Sequence, residues 1–155
     1  MGVWRSKPNI YTKVNFIEIP EGSYRVEIYK VRVERFRDNK HCFEITFKVS
    51  GYHGKLWYYL WANPEFGESS TRRFISFFES FDIKGDEQKD YKSWVGKVGA
   101  VNVVHEFGPT DRLKKGQYEI VVHRCLNQFE QTRLPAWQDD YYEPHSEQIH
   151  ELLEK

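Results

Sequence analysis

The chain has 155 residues, 39% of them hydrophobic and 17% aromatic, with 23 basic and 23 acidic side chains. That length predicts one domain able to bury its own core. No apolar run approaches the ~20 residues needed to cross a bilayer, and the start Met1-Gly2-Val3-Trp4-Arg5-Ser6-Lys7-Pro8 lacks the apolar stretch of a secretion signal.

Cytoplasmic location is therefore expected, with Cys42 and Cys125 as reduced thiols. Met1-Gly2 with Ser6 loosely fits a myristoylation pattern, but no other feature points to a membrane. Charge is uneven along the chain. From Leu134 onward the acids are Asp139, Asp140, Glu143, Glu147, Glu151 and Glu154 and the only cation is Lys155. This leaves a body near +5 and a tail near −5. A polyanion would be drawn to the body, and the tail could compete for the same surface.

In chain order, residues 1–20 read as an N-terminal arm in which Tyr11–Ile19 forms a short strand. Pro20-Glu21-Gly22 is a turn signal. Ser23–Phe36 reads as a long strand with Tyr24, Val26 and Ile28 on one face. From Tyr29 the apolar phase changes to Tyr29, Val31 and Val33, as a β-bulge produces. Cys42–Val49 alternates, with Phe43, Ile45, Phe47 and Val49 inward and Glu44, Thr46 and Lys48 outward. A Gly51–Gly54 turn leads into a third strand, Lys55–Trp61.

Phe74, Phe77, Phe78 and Phe81 recur at i, i+3, i+4 and i+7, which predicts a helix with a phenylalanine stripe facing the core. Ser69, Ser70 or Thr71 would cap its start. Trp94, with Gly96 and Lys97, is either a binding element or the plug of a barrel end, and the plug is the favoured reading. Val98–Phe107 and Gln117–Arg124 predict two further strands, with Gly99 allowing close approach or a bend. Residues 126–155 read as an acidic tail with a short helix at Ser146–Lys155, its apolar side made by Ile149, Leu152 and Leu153. A three-stranded meander, a helix and a two-stranded hairpin predict a mainly β protein, a five-stranded OB-fold-like barrel over residues 21–125 with the helix between strands 3 and 4.

Both faces of Lys55–Trp61 are apolar or aromatic. Leu56, Tyr58 and Leu60 suit the core. Trp57, Tyr59 and Trp61 either pack under a second layer or stay open to stack on bases.

Several blocks resemble a phage and prophage family known as a domain of unknown function, DUF669. They are Ile19-Pro20-Glu21-Gly22-Ser23-Tyr24-Arg25-Val26, then Trp57 with Leu60-Trp61-Ala62-Asn63-Pro64, the Phe-rich helix, and Trp94-Val95-Gly96-Lys97-Val98-Gly99-Ala100-Val101 with His105-Glu106. They fall in the family's order and cover roughly residues 18–125. The resemblance implies an OB-fold single-stranded DNA-binding protein of phage replication or recombination, with no catalytic motif to carry over.

An OB-fold usually binds with the face of its second and third strands and its first and last loops. That selects Lys48, Tyr52, Lys55, Trp57, Tyr59 and Trp61 for the face. It takes Arg35, Phe36, Arg37 and Lys40 from the first turn and Arg112, Lys114 and Lys115 from the last, with Arg72 and Arg73 at the helix start. The bland alternative for each basic turn is ordinary solvation.

His123 with Cys125, and His41 with Cys42, lack the spacing of a metal set. No nucleophile elbow, phosphate loop or dinucleotide fingerprint is present. The expectation is a non-enzymatic protein without metal or cofactor. Its partners would be single-stranded DNA, replication or recombination proteins through the acidic tail, and further copies of itself, with no membrane. The competing reading is a protein-interaction module or homo-oligomeric domain that uses the same aromatic face.

Overall fold

The computed structural model describes residues 18–37, 40–62 and 68–138. Five strands, β1 (Gly22–Arg35), β2 (His41–Val49), β3 (Lys55–Ala62), β4 (Val98–Phe107) and β5 (Tyr118–Cys125), form one antiparallel sheet in the order β3-β2-β1-β4-β5. The sheet curls into a nearly closed barrel, with helix α1 (Glu68–Ser80) between β3 and β4 and a short helix α2 (Gln128–Gln131) after β5. The expected mainly β, OB-fold-like architecture is therefore observed.

β1 makes the curl. Its first part, from Gly22 to Glu27, pairs with β4, and from Val26 to Arg35 it pairs with β2. Between Ile28 and Lys30 the register slips by one residue, the bulge expected from the change of apolar phase. A bulge bends its strand and raises the local twist, so one strand serves two neighbours. Ile28 turns its backbone to the 94–97 turn there, donating to the Lys97 carbonyl at 2.9 Å and accepting from Gly96 N at 2.8 Å.

β3 and β5 are the outer strands of the sheet, and their approach almost closes the ring. Across this seam the Tyr58 hydroxyl hydrogen-bonds the Cys125 thiol, while Arg73 of α1 lies 5.0 Å from the centre of the Tyr58 ring. Burial holds the Tyr58 phenol above its ordinary pKa and pushes the Cys125 thiol up to about 12, so both stay neutral at physiological pH.

The helix stripe supplies much of the core. Phe77 and Phe81 are buried and Phe74 and Phe78 partly so. Phe81 stacks on Phe47 at 5.3 Å, and Phe77 meets Trp94 edge-on at 5.3 Å. Trp94 is only 1% exposed and its indole N–H donates to the Glu87 carbonyl at 2.7 Å. It fills the interior, as expected of a plug. Gly99 lies beneath Phe81, where a Cβ would come within 2.7 Å of the ring. The close approach expected of this glycine is thus real.

Some expectations change. The Ser70 hydroxyl donates to the Trp61 carbonyl from inside the first turn of α1, so it ties the helix to β3 rather than capping it. The chain after Cys125 is anchored to the barrel as far as residue 138. Gln131 is buried, and its amide donates to the Ser80 and Leu126 carbonyls. Gln128 donates to the carbonyls of Glu79 and Ser80 at the end of α1, beside the bonds these carbonyls already accept from Asp82 N and the Gln131 amide. Arg25 clamps the carbonyls of Gln131 and Pro135, and Gln138 N donates to Ser50 Oγ at 2.8 Å. The expected helix at Ser146–Lys155 and most of the expected strand at Tyr11–Ile19 lie outside the described residues.

Candidate functional site

Strand pairing places the outward side chains of β1, β2 and β3 in cross-strand rows. One row holds Glu34, Cys42 and Trp61; the next Arg32, Glu44 and Tyr59; the next Lys30, Thr46 and Trp57; and the last Glu27, Lys48 and Lys55. Trp61 and Lys55 are six residues apart, which at a strand rise of ~3.3 Å makes the face about 20 Å long. The intervening Leu56, Tyr58 and Leu60 point into the core and are at most 5% exposed. The two faces of β3 therefore have different fates.

The outer rings are open. Tyr59 is 45% and Trp61 40% exposed, while Trp57 is half-buried. Phe36, just past β1, extends the row by packing on Trp61 at 5.3 Å and is itself 46% exposed. Thr46 and Cys42 are buried in the rows of Trp57 and Trp61. Burial holds the Cys42 thiol above its usual pKa, helped by the carboxylates of Glu34 and Glu44. Tyr59 is likewise raised, first by burial and then by Glu44, whose side chain its hydroxyl hydrogen-bonds.

Tyr29 is the residue that sequence reasoning misplaced. Its phase groups it with Val31 and Val33, which turn inward, yet the bulge swings it out to 49% exposure. Lys48 Nζ and Lys55 Nζ each lie 5.1 Å from the centre of its ring, within cation–π range. Lys30, Arg32 and Glu44 were also missed as site candidates. The signal lay in the bulge, which sets where β1's outward residues fall against β2.

Of the remaining candidates, Arg35, Phe36, Arg37 and Lys40 form the β1–β2 turn, beside the Trp61 end of the face; Phe36 N donates to the Lys40 carbonyl at 2.8 Å. Arg112, Lys114 and Lys115 belong to the β4–β5 turn. Antiparallel pairing makes that turn leave the opposite end of β1, so the two basic turns flank the barrel instead of meeting. Arg112 is paired with Glu119. Arg73 donates to the Tyr59 carbonyl at 3.3 Å and braces the seam, and Arg72 is exposed on the same turn of α1. Tyr52 packs edge-on against Tyr24 at 5.4 Å and lines a cavity of about 250 Å³ with Leu134, Pro135 and Gln138. It is not one of the outward rings.

Among the described residues, no group of three or more His, Cys, Asp or Glu side chains could hold a metal ion, and no helix is long and apolar enough to cross a membrane. The arrangement offers flat rings, flanking cations and one central carboxylate, Glu44, with Glu34 and Glu27 in the end rows. Compared with protein-family models and with curated protein sequences, the chain matches none.

Proposed function

We propose that the chain is a non-enzymatic protein that binds single-stranded DNA across the outer face of β1, β2 and β3. One observation carries the reading: Phe36, Tyr59, Trp61 and Tyr29 are 40–49% exposed on one curved sheet face, with Lys48 and Lys55 over the last of these rings. Open rings next to lysines are what a strand of stacked bases and phosphates requires. A run of exposed aromatics of this extent marks an interaction surface. In the setting implied by the DUF669 resemblance, the role is in phage replication or recombination. The acidic residues after Gln138 then suit a replication or recombination partner.

Titrating labelled single-stranded and double-stranded oligonucleotides at two salt concentrations tests this. Preference for the single strand, with affinity falling steeply as salt rises, is the expected result. Indifference to both nucleic acids, together with a stable oligomer that covers Trp61, would replace this reading with a protein-docking face.

A further inference from the structure

A carboxylate in the middle of a surface meant for a polyanion needs a reason. Glu44 lies in the row between Trp57 and Trp61, across from Tyr59. Its side chain retains 28% exposure. The Tyr59 hydroxyl holds it from one side. From the other, Arg32 Nε is 3.5 Å from Oε1 and Arg32 Nη2 3.5 Å from Oε2. Both distances exceed the ~2.7–2.9 Å of a tight charged hydrogen bond. The fork thus orients the carboxylate without saturating its roughly four acceptor sites.

Arg32 is shared between Glu44 and Glu34, its Nη2 lying 3.6 Å from Glu34 Oε1, so the three side chains carry one net negative charge that repels phosphates, which are served by Lys48 and Lys55 at one end of the face and by the Arg35–Lys40 turn at the other. Bases, not backbone, must therefore pass over Glu44. An oriented acceptor beside stacked bases discriminates among them. The amino group of cytosine donates to a carboxylate, whereas thymine presents a carbonyl oxygen at the equivalent position.

Resting on the single-strand reading above, we propose that Glu44 is a specificity-determining residue that favours amino-bearing bases, cytosine over thymine, at the position stacked on Tyr59. The two pyrimidines have the same ring size, so stacking area does not separate them.

The test is anisotropy titration of the full chain and of its Glu44→Gln and Glu44→Ala variants with oligo(dC) and oligo(dT) of equal length near neutral pH. Circular dichroism checks that each variant is folded. The wild type is expected to prefer oligo(dC) by about tenfold, the lower part of the range for a good base contact. Both variants should bring the ratio close to one, because an amide offers donor and acceptor alike and alanine offers neither. Equal wild-type affinities, or a preference unchanged in both variants, would overturn the role of Glu44 while leaving single-strand binding intact. Absence of binding to either oligonucleotide would instead overturn the proposed function and this inference with it.

Discussion

Replacing Trp61 by alanine should separate binding from stability, and its neighbour Leu60 provides the comparison. The two residues are adjacent on β3 but point to opposite faces. Leu60 is fully buried, so Leu60→Ala should cost about 2–5 kcal/mol in unfolding free energy. Trp61 keeps 40% of its surface in water. Its truncation forfeits only part of the roughly 3–5 kcal/mol typical of a buried aromatic, about 1–2 kcal/mol. Binding should respond in the opposite order. A stacked base is worth about 1–3 kcal/mol, so Trp61→Ala should weaken single-strand binding by roughly 5- to 150-fold, while Leu60→Ala, if still folded, should leave it nearly unchanged. Urea unfolding and anisotropy titration of the same preparations give both numbers. The reasoning is refuted if Trp61→Ala destabilises as much as Leu60→Ala, or if it binds as tightly as the wild type.

Replacing Lys48 and Lys55 by glutamine should flatten the dependence of log affinity on log salt by about 0.7 for each lysine that neutralises a phosphate; an unchanged slope would remove them from the interface. Gly99→Ala should lower stability by about 1–3 kcal/mol in thermal unfolding, because the new methyl meets a Phe81 ring that is already stacked on Phe47. Asp82 ends α1 at φ 54°, and the next amide, Ile83 N, donates back to the Phe78 carbonyl at 2.8 Å. Asp82→Gly should therefore stabilise by up to about 1 kcal/mol, with little lost from the exposed pair to Lys84; a lower midpoint in urea would contradict this. The Glu130 carboxylate accepts from Arg124 and from the backbone N–H of Asn127, the N-cap of α2, and these contacts, Arg124 first, lower its pKa to about 2. Its contribution is present above the unfolded carboxylate value of about 4.3 and is lost as pH falls through about 2. The melting temperature of Glu130→Gln should consequently decline less than that of the wild type across that acid window.

Much of the barrel was legible because alternation and helical period are local. The phenylalanine stripe at 74, 77, 78 and 81, the clean run from Phe43 to Val49 and the bounds of Val98–Phe107 all follow from side-chain direction. The bulge at Tyr29 was legible as a phase change, but not which way its ring would turn, since that depends on the register of β2. Whether Trp57, Tyr59 and Trp61 were core or surface could not be read from β3 alone. The answer lies in α1 packing on the inner face and leaving the outer one open. The anchoring of residues 126–138 was hidden because it runs through polar groups, the amides of Gln128 and Gln131 and the guanidinium of Arg25. Their partners are backbone carbonyls that carry no sequence signature.

An NMR titration of the isotopically labelled chain with a short single-stranded oligonucleotide tests the central claim most directly. Shift changes concentrated at Tyr29, Phe36, Lys48, Lys55, Tyr59 and Trp61, with the exposed Ile75 on α1 unmoved, are the predicted result. Changes clustered on α1 or beside Tyr52, or a spectrum that does not respond, would contradict it.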